Sequence, residues 1–115
     1  MQKIERINPI LNVADMRRSL RFYVDVLGFT NAEWGDRKFT HVARDGCGIY
    51  LCHNDQGQPG TWLWIGVADA RALHDELAAK EVKILKGLTD EPWGLEFQLE
   101  DPDAHVLRIG SEAEG

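Results

Sequence analysis

A short segment that recurs halfway along the chain constrains the fold more than any other feature. Val13–Arg17 (VADMR) reappears as Val67–Arg71 (VADAR), at an offset of 54 residues in a chain of 115. An alternating run of apolar residues precedes each copy, and apolar residues at helical spacing follow it. Because the same order of elements accompanies both copies, the sequence indicates two related modules produced by duplication.

Each half is predicted to fold in the order β-α-β-β-β. The runs Ile7–Val13 and Trp62–Val67 alternate as strands of a sheet with one buried face do. Asp15 and Asp69 are suitable N-caps for the helix that follows each run, and Gly28 is a suitable residue to end the first helix. Three further strands are expected after each helix, over 29–34, 38–44 and 47–53 in the first half and over 82–88, 93–99 and 105–109 in the second.

The fold class predicted from this order is α+β, in a single domain over residues 1–115. The first βαβββ module spans 1–53 and the second 61–110, and the polar segment 54–61 links them. Asp45-Gly46 between two alternating runs predicts a hairpin. A chain of this length buries about two-thirds of its extended surface on folding, so its stability requires neither a structural metal nor a disulfide.

Charge and composition narrow the classes of partner. Thirteen Lys and Arg against nineteen Asp and Glu give a net charge of −6 without a basic cluster, so we expect no nucleic acid partner and favour a cationic small molecule. The N-terminus has no apolar targeting segment, and no stretch approaches the ~20 apolar residues of a membrane span. Cys47 and Cys52, about 16 Å apart on one strand at ~3.3 Å per residue, cannot pair. A cytoplasmic location is therefore expected.

Three segments resemble the vicinal oxygen chelate superfamily, and the resemblance covers nearly the whole chain. They are Phe22–Phe29 (FYVDVLGF), the turn Asp101–Ala104 (DPDA) and Pro92–Pro102 (PWGLEFQLEDP), of which the last is similar to the metal-free bleomycin resistance proteins. Further matches to that branch are Phe39, Val42, Arg44 and Asp45 before the fourth strand, Trp64 in the fifth, and Pro9-Ile10-Leu11 near the N-terminus. The resemblance implies the glyoxalase/bleomycin resistance fold, in which paired modules form curved mixed sheets. This fold carries several chemistries, so it does not settle function.

The resemblance also locates the places where enzymes of the superfamily hold a divalent metal. In this chain those four places carry Asn8, Tyr50, Trp62 and Arg108. Only the Asn8 amide oxygen is a usable ligand, and the permanent cation of Arg108 repels a metal ion. We therefore expect no metal and no other cofactor.

Strand alternation separates a core face from a second face. The core parity comprises Leu11, Val13, Ile49, Leu51, Leu63, Ile65, Val67, Phe97, Leu99, Leu107 and Ile109. The opposite parity is too aromatic for open water and too polar for a core, which indicates a concave ligand-binding surface. Two further aromatics, Phe39 and Trp93, are added to members of this parity. The predicted ligand-binding residues are then Phe39, Tyr50, Cys52, Trp62, Trp64, Trp93, Glu96, Gln98, Val106 and Arg108.

Several roles stay open at this point. For any one of the aromatics, a place in the core or in a dimer interface explains the pattern equally well. Glu96 with Glu100 or Asp101 is expected to attract a cationic tail, although each alone is typical of a solvated surface. Arg108 either pairs with Glu96 or binds an anionic part of the ligand.

These observations give three functional hypotheses. The first is a metal-free protein that binds a planar, cationic antibiotic or glycopeptide on its aromatic face and gives resistance by sequestration, without bond chemistry. The second is a metal-dependent lyase, transferase or dioxygenase with relocated ligands drawn from His41, His53, Glu96 and His105. The third is a binding module for another aromatic metabolite. A homodimer is expected, because pairing covers exposed aromatic faces, and the resemblance implies exchange of the N-terminal strand with a hinge at Pro9.

Overall fold

In the part of the chain that the structure describes, eight strands form two four-stranded mixed sheets, one in each half of the chain. The computed structural model describes residues 1–114. The first sheet contains β1 (Ile10–Val13), β2 (Thr30–Asn31), β3 (Phe39–Arg44) and β4 (Cys47–His53), and the second contains β5 (Trp62–Gly66), β6 (Lys83–Glu91), β7 (Gly94–Glu100) and β8 (Val106–Ser111). Two compact units follow this division, one over Met1–Gln58 and one that begins at Pro59. The single domain over 1–115 stays a prediction.

The two sheets have the same topology. Their strand orders are β1-β4-β3-β2 and β5-β8-β7-β6. In each sheet the first and last strands of the unit pair in parallel, with Leu11 opposite Leu51 and Ile65 opposite Ile109, and the other pairs are antiparallel. This confirms the α+β class and the two βαβββ modules that the repeated segment predicts.

Each module has one main helix, which begins at its predicted aspartate. Asp15 accepts a hydrogen bond from the Arg18 N–H ahead of α1 (Met16–Leu20), and Asp69 accepts one from the Ala72 N–H ahead of α2 (Ala70–Ala78). The first helix continues as a π-helical segment over Arg21–Val26. It ends where Gly28 adopts a φ of +79°, as the sequence predicts.

The hairpin between β3 and β4 sets the register of the first sheet. Asp45 and Gly46 both have positive φ, +54° and +79°, and Arg44 lies opposite Cys47. A two-residue turn of this kind matches the twist of the strands it joins. Consequently His41 lies opposite Tyr50, and Phe39 opposite Cys52.

Some predicted strand limits are wrong. β1 begins at Ile10 and not at Ile7, because Pro9 has no N–H to donate and only its carbonyl joins the ladder, where it accepts from the Tyr50 N–H. The strand expected over 29–34 shortens to Thr30–Asn31, since the chain turns where the Gly35 N–H donates to the Ala32 carbonyl. β6 continues to Glu91, which leaves a two-residue turn at Pro92 and Trp93.

The core lies between each sheet and its helix. Most residues of the predicted core parity are buried, with Leu11, Leu51, Phe97 and Leu107 fully inaccessible. The three on and beside β5, Leu63, Ile65 and Val67, are only half-buried, whereas Leu11 and Val13 of β1, the corresponding edge strand of the first sheet, are fully inaccessible. Among residues 1–114, no helix combines the length and apolar character that a membrane crossing requires.

Candidate functional site

The second sheet carries an aromatic face on the side away from α2. Phe97 points toward α2, where its ring lies 5.2 Å from that of His74. The neighbouring parity therefore faces the opposite way, and register places its members in three rows across β5, β8 and β7: Trp62, Val106 and Glu100; Trp64, Arg108 and Gln98; Gly66, Gly110 and Glu96. We call these nine residues together with Trp93 the tryptophan face.

Two indoles of the tryptophan face meet above a pair of glycines. Trp64 and Trp93 are 56% and 46% exposed, and their ring centroids lie 6.2 Å apart in an edge-on arrangement. A Cβ atom at Gly110 would lie 2.9 Å from Cζ3 of Trp93 and 3.2 Å from Cζ2 of Trp64, and one at Gly66 would lie 2.7 Å from the Trp64 ring. The rings thus rest on bare backbone, and glycine is required at both positions to leave room for them.

A buried ion pair lies in the same rows. Nη2 and Nε of Arg108 donate to Oε1 of Glu96 at 2.8 and 3.0 Å, and Nε2 of Gln98 lies 3.4 Å from Oε2 of Glu96. Glu96 is 1% exposed, whereas the Arg108 side chain is 39% exposed. Of the two roles left open for Arg108 by the sequence, the structure shows the pairing with Glu96.

The expectation that Glu96, with Glu100 or Asp101, attracts a cationic tail does not fit the contacts of these side chains, and Glu100 is paired with Lys83 at 3.4 Å. The Glu96 carboxylate is buried and neutralised by Arg108. Asp101 is also buried, and its Oδ1 accepts the N–H groups of Asp103 and His105, both at 2.9 Å, in the turn before β8. Both carboxylates are thus engaged in contacts within the protein.

The first sheet carries a second aromatic cluster. The rings of Trp34 and Phe39 stack at 6.2 Å, and those of Phe39 and Tyr50 at 5.2 Å, while His41 lies 4.6 Å from Tyr50. We call Trp34, Phe39, His41 and Tyr50 the stacked cluster. An open cavity of about 500 Å³ borders it and is lined by Lys38, Phe39, Cys52, His53, Asp55 and Gln56.

Sequence reasoning missed two members of this cluster as ligand-binding candidates. His41 entered only as a metal ligand, although the Asp45-Gly46 turn fixes it opposite Tyr50 and so identifies it. Trp34 lies outside the regular ladder, so alternation gives no information about its side chain. Within residues 1–114, Nε2 of His41 is buried without a hydrogen-bond partner, close to the space above Gly48 that Asn8 also borders.

The structure divides the predicted ligand-binding residues by exposure. Trp62, Trp64 and Trp93 are exposed, and Phe39, Tyr50, Gln98 and Arg108 are half-buried. Cys52, Glu96 and Val106 are buried. The space beside Gly94 offers no approach to a planar ligand, because it is filled by the Ser111 carbonyl of β8.

The family model of the Glyoxalase/Bleomycin resistance protein/Dioxygenase superfamily matches residues 3–109. The chain belongs to this superfamily. None of the curated protein sequences compared with the chain matches it.

Solved structures of other proteins agree with the fold. The bleomycin-binding protein from bleomycin-producing Streptomyces verticillus, in complex with copper(II)-bleomycin, is 28% identical, covers all of both chains and gives a TM-score of 0.80. Lactoylglutathione lyase from Agrobacterium tumefaciens is 13% identical over 96% of each chain, with a TM-score of 0.81. TioX from Micromonospora sp. ML1 is 18% identical over 91% of this chain and 97% of its own, with a TM-score of 0.80.

The metal-binding places of the superfamily do not fit a metal ion in this chain. Tyr50 stacks on Phe39, and Arg108 presents a guanidinium bound to Glu96. A permanent cation at a ligand position opposes a divalent ion, and an indole such as Trp62 offers no lone pair to it.

The proposed relocated ligands also have other contacts. Nδ1 of the buried His105 accepts the Thr61 N–H at 3.0 Å, and Nε2 of His53 lies 3.0 Å from Nδ2 of Asn54. In the described part of the chain, no three His, Cys, Asp or Glu side chains are grouped so that they could hold a metal ion.

Proposed function

We propose that the protein binds a planar aromatic small molecule by stacking on Trp64 and Trp93, and that it sequesters this molecule without bond chemistry. The observation that carries the proposal is the pair of indoles that rest half-exposed on Gly66 and Gly110. Large aromatic side chains held in one place by a rigid sheet lose little conformational freedom when a flat ligand covers them. Stacking on such rings contributes about 1–3 kcal/mol for each aromatic side chain.

The proposed ligand class is supported by the likeness to a bleomycin-binding protein and by the charge of the second unit. The bleomycin-binding protein aligns over the full length of the chain, and a bithiazole or intercalating chromophore is a planar group of the kind that stacks on indoles. Residues 59–115 contain five Lys and Arg against twelve Asp and Glu. This excess of negative charge attracts a cationic ligand at long range even though Glu96 is neutralised. The proposed ligand is therefore a planar cationic or glycopeptide antibiotic, and the proposed consequence of binding is resistance by sequestration.

The proposal includes a homodimer and a cytoplasmic location. Ile4 and Ile7 are 75% and 86% exposed in a segment that precedes β1 and lies outside the strands. A second copy that received this segment, with the hinge at Pro9, would remove both side chains from water. Cys47 and Cys52 are free thiols, which suits a reducing compartment.

Titration of intrinsic tryptophan fluorescence tests the proposal. The panel contains metal-free bleomycin, an intercalating chromophore antibiotic and spermine, a cation without a ring, with calorimetry used for copper(II)-bleomycin. We expect saturable binding of a ring-containing member and recovery of that ligand unchanged by mass spectrometry. Failure of every ring-containing member to bind, or binding of spermine with equal affinity, would contradict stacking as the source of recognition.

The enzyme alternative is tested on the same preparation. Elemental analysis of protein purified without chelator would support a metal-dependent enzyme if it found near-stoichiometric zinc, nickel, iron or manganese that is lost together with an activity. Under the present proposal, chelation leaves ligand affinity unchanged.

A further inference from the structure

Arg108 stands at the centre of the tryptophan face. It lies directly opposite Trp64 on the neighbouring parallel strand and two residues before Gly110, over which both indoles meet. A ring stacked on Trp64 and Trp93 therefore brings its edge close to the row that contains Arg108.

The guanidinium is held in place and still has donors to offer. Two of its N–H groups point to one oxygen of Glu96, at 2.8 and 3.0 Å. A guanidinium has five N–H groups in a planar fork, so three have no partner within residues 1–114 while 39% of the side chain is exposed. Because Glu96 is almost completely buried, a movement that separated the pair would leave an unpaired carboxylate in a poorly solvated place. Arg108 is thus a fixed donor.

The charge around this donor discriminates between kinds of ligand. The positive charge of Arg108 is already balanced by Glu96, and the unit has an excess of carboxylates, so an anionic group at the ring edge meets net repulsion. A cationic group in the same place would lie against the guanidinium. A neutral carbonyl oxygen accepts an N–H from Arg108 without either penalty.

From this arrangement, which rests on the proposed stacking on Trp64 and Trp93, we infer that Arg108 selects planar aromatic ligands that carry a neutral carbonyl oxygen at the ring edge. Any cationic group of the ligand then lies away from the stacked ring. Glu96 acts as a positioning residue, since it fixes the guanidinium and cancels its charge.

Three naphthalene derivatives with one ring system test the inference: 2-acetylnaphthalene, which is neutral, 2-naphthoate, which is anionic, and 2-(aminomethyl)naphthalene, which is cationic. Binding is followed through the indole ¹H–¹⁵N signals of Trp64 and Trp93, assigned with single Trp→Phe variants. We expect the ketone to bind at least fivefold more tightly than either charged probe.

Two variants separate the donor from its charge. In Glu96→Gln the guanidinium keeps its place next to an uncharged amide, so the preference should change to 2-naphthoate. In the double variant Glu96→Gln with Arg108→Met, the ion pair and the guanidinium donors are both absent, so the three affinities should converge while the indole signals still shift. Should the double variant fail to fold, the single variant alone decides the question.

The outcomes distinguish this inference from the proposed function. If all three probes shift the Trp64 and Trp93 signals with equal affinity, or if the double variant retains the preference for the ketone, selection by Arg108 is wrong and stacking survives. If no probe shifts these signals, the stacking proposal fails and the inference fails with it.

Discussion

At the scale of single residues, the tryptophan face depends on two glycines, because a side chain at either position would occupy the space of the indoles. Gly66 and Gly110 lie opposite each other on β5 and β8, and the indoles of Trp64 and Trp93 occupy the space above them. A glycine pair of this kind lets aromatic rings lie close to a sheet, where a flat ligand reaches their exposed surface.

Replacement of Gly110 by Ala should disturb this arrangement. The added methyl group would lie 2.9 Å from the Trp93 ring and 3.2 Å from the Trp64 ring, so both rings must move by a few tenths of an ångström. We expect changed indole signals and several-fold weaker binding of the fluorescence-titration ligand. Gly87→Ala is the matched control, since nothing lies within 4 Å of its added Cβ. Equal affinity of the two variants would show that the rings need no glycine support.

For the residues of this face, the sequence predicts the side of the sheet but not the ion pair. Alternation assigned Trp62, Trp64 and Arg108 to one face, which register confirms. The partner of Arg108 could not be assigned, because pairing with Glu96 depends on the register of β7 against β8, which the sequence of the connecting Asp101–Ala104 turn does not specify by itself.

At the scale of elements, the hairpin turn was predicted from the sequence more accurately than the limits of the strands. Asp45-Gly46 predicts its hairpin and register from two residues, because both adopt positive φ. The ends of β1, β2 and β6 were predicted wrongly, since alternation specifies a face and contains no information about where pairing stops. The burial of β5 was overestimated for the related reason that alternation assigns a face and does not show how completely that face is covered.

Gly94 should be the glycine least tolerant of substitution in the second sheet. It begins β7 with a φ of +156°, and a Cβ there would overlap the backbone carbonyl of Ser111 in β8, which cannot rotate away. Gly94→Ala should lower the free energy of unfolding by about 1–3 kcal/mol. Urea denaturation followed by circular dichroism measures this, with Gly87→Ala as the control. A stability equal to that of the control would contradict the contact.

Acid should loosen the turn that leads into β3. Oδ1 of Asp36 accepts the N–H groups of Lys38 and Phe39 at 2.8 and 2.9 Å, and these bonds hold the pKa of Asp36 below its ordinary value. A lowered pKa in the folded state means that the stabilisation is complete above the unfolded pKa, about 4, and is lost as the pH falls through the folded value. Amide signals of Lys38 and Phe39, recorded from pH 6 to pH 2, should shift only at the acid end. Asp36→Asn, which has no carboxylate at this position, is the control and should show no such transition. A transition near neutral pH in the wild type, or no transition in the wild type either, would refute this role.

At the scale of the whole molecule, the repeated topology and the distribution of charge are the main features. The two units share their topology but not their charge: residues 1–58 contain eight Lys and Arg against seven Asp and Glu, whereas residues 59–115 contain five against twelve. The tryptophan face thus belongs to the acidic unit. The repeat of Val13–Arg17 was sufficient to predict the shared topology, but the different surfaces of the two copies depend on residues outside the repeat.

The proposed homodimer gives a prediction about mass and about one proline. Light scattering at micromolar concentration should give twice the mass of the chain. Pro9 ends the segment that contains Ile4 and Ile7, and its fixed φ limits the directions in which this segment can leave β1. Pro9→Gly removes that limit, so it should weaken the dimer. Pro59→Gly, at the start of the second unit, is the control. A monomer would contradict the dimer, whereas an unaltered dimer in Pro9→Gly would contradict only the exchange.

Ligand affinity in Trp64→Ala and Trp93→Ala tests the central claim most directly. Each variant should bind the titration ligand about 1–3 kcal/mol more weakly than the wild type, because each removes one stacking surface. Arg71→Ala, which removes only the exposed ion pair with Glu114 beside α2, should bind with unchanged affinity. Unchanged affinity in both tryptophan variants would show that these rings do not contact the ligand, and the proposed site would be wrong.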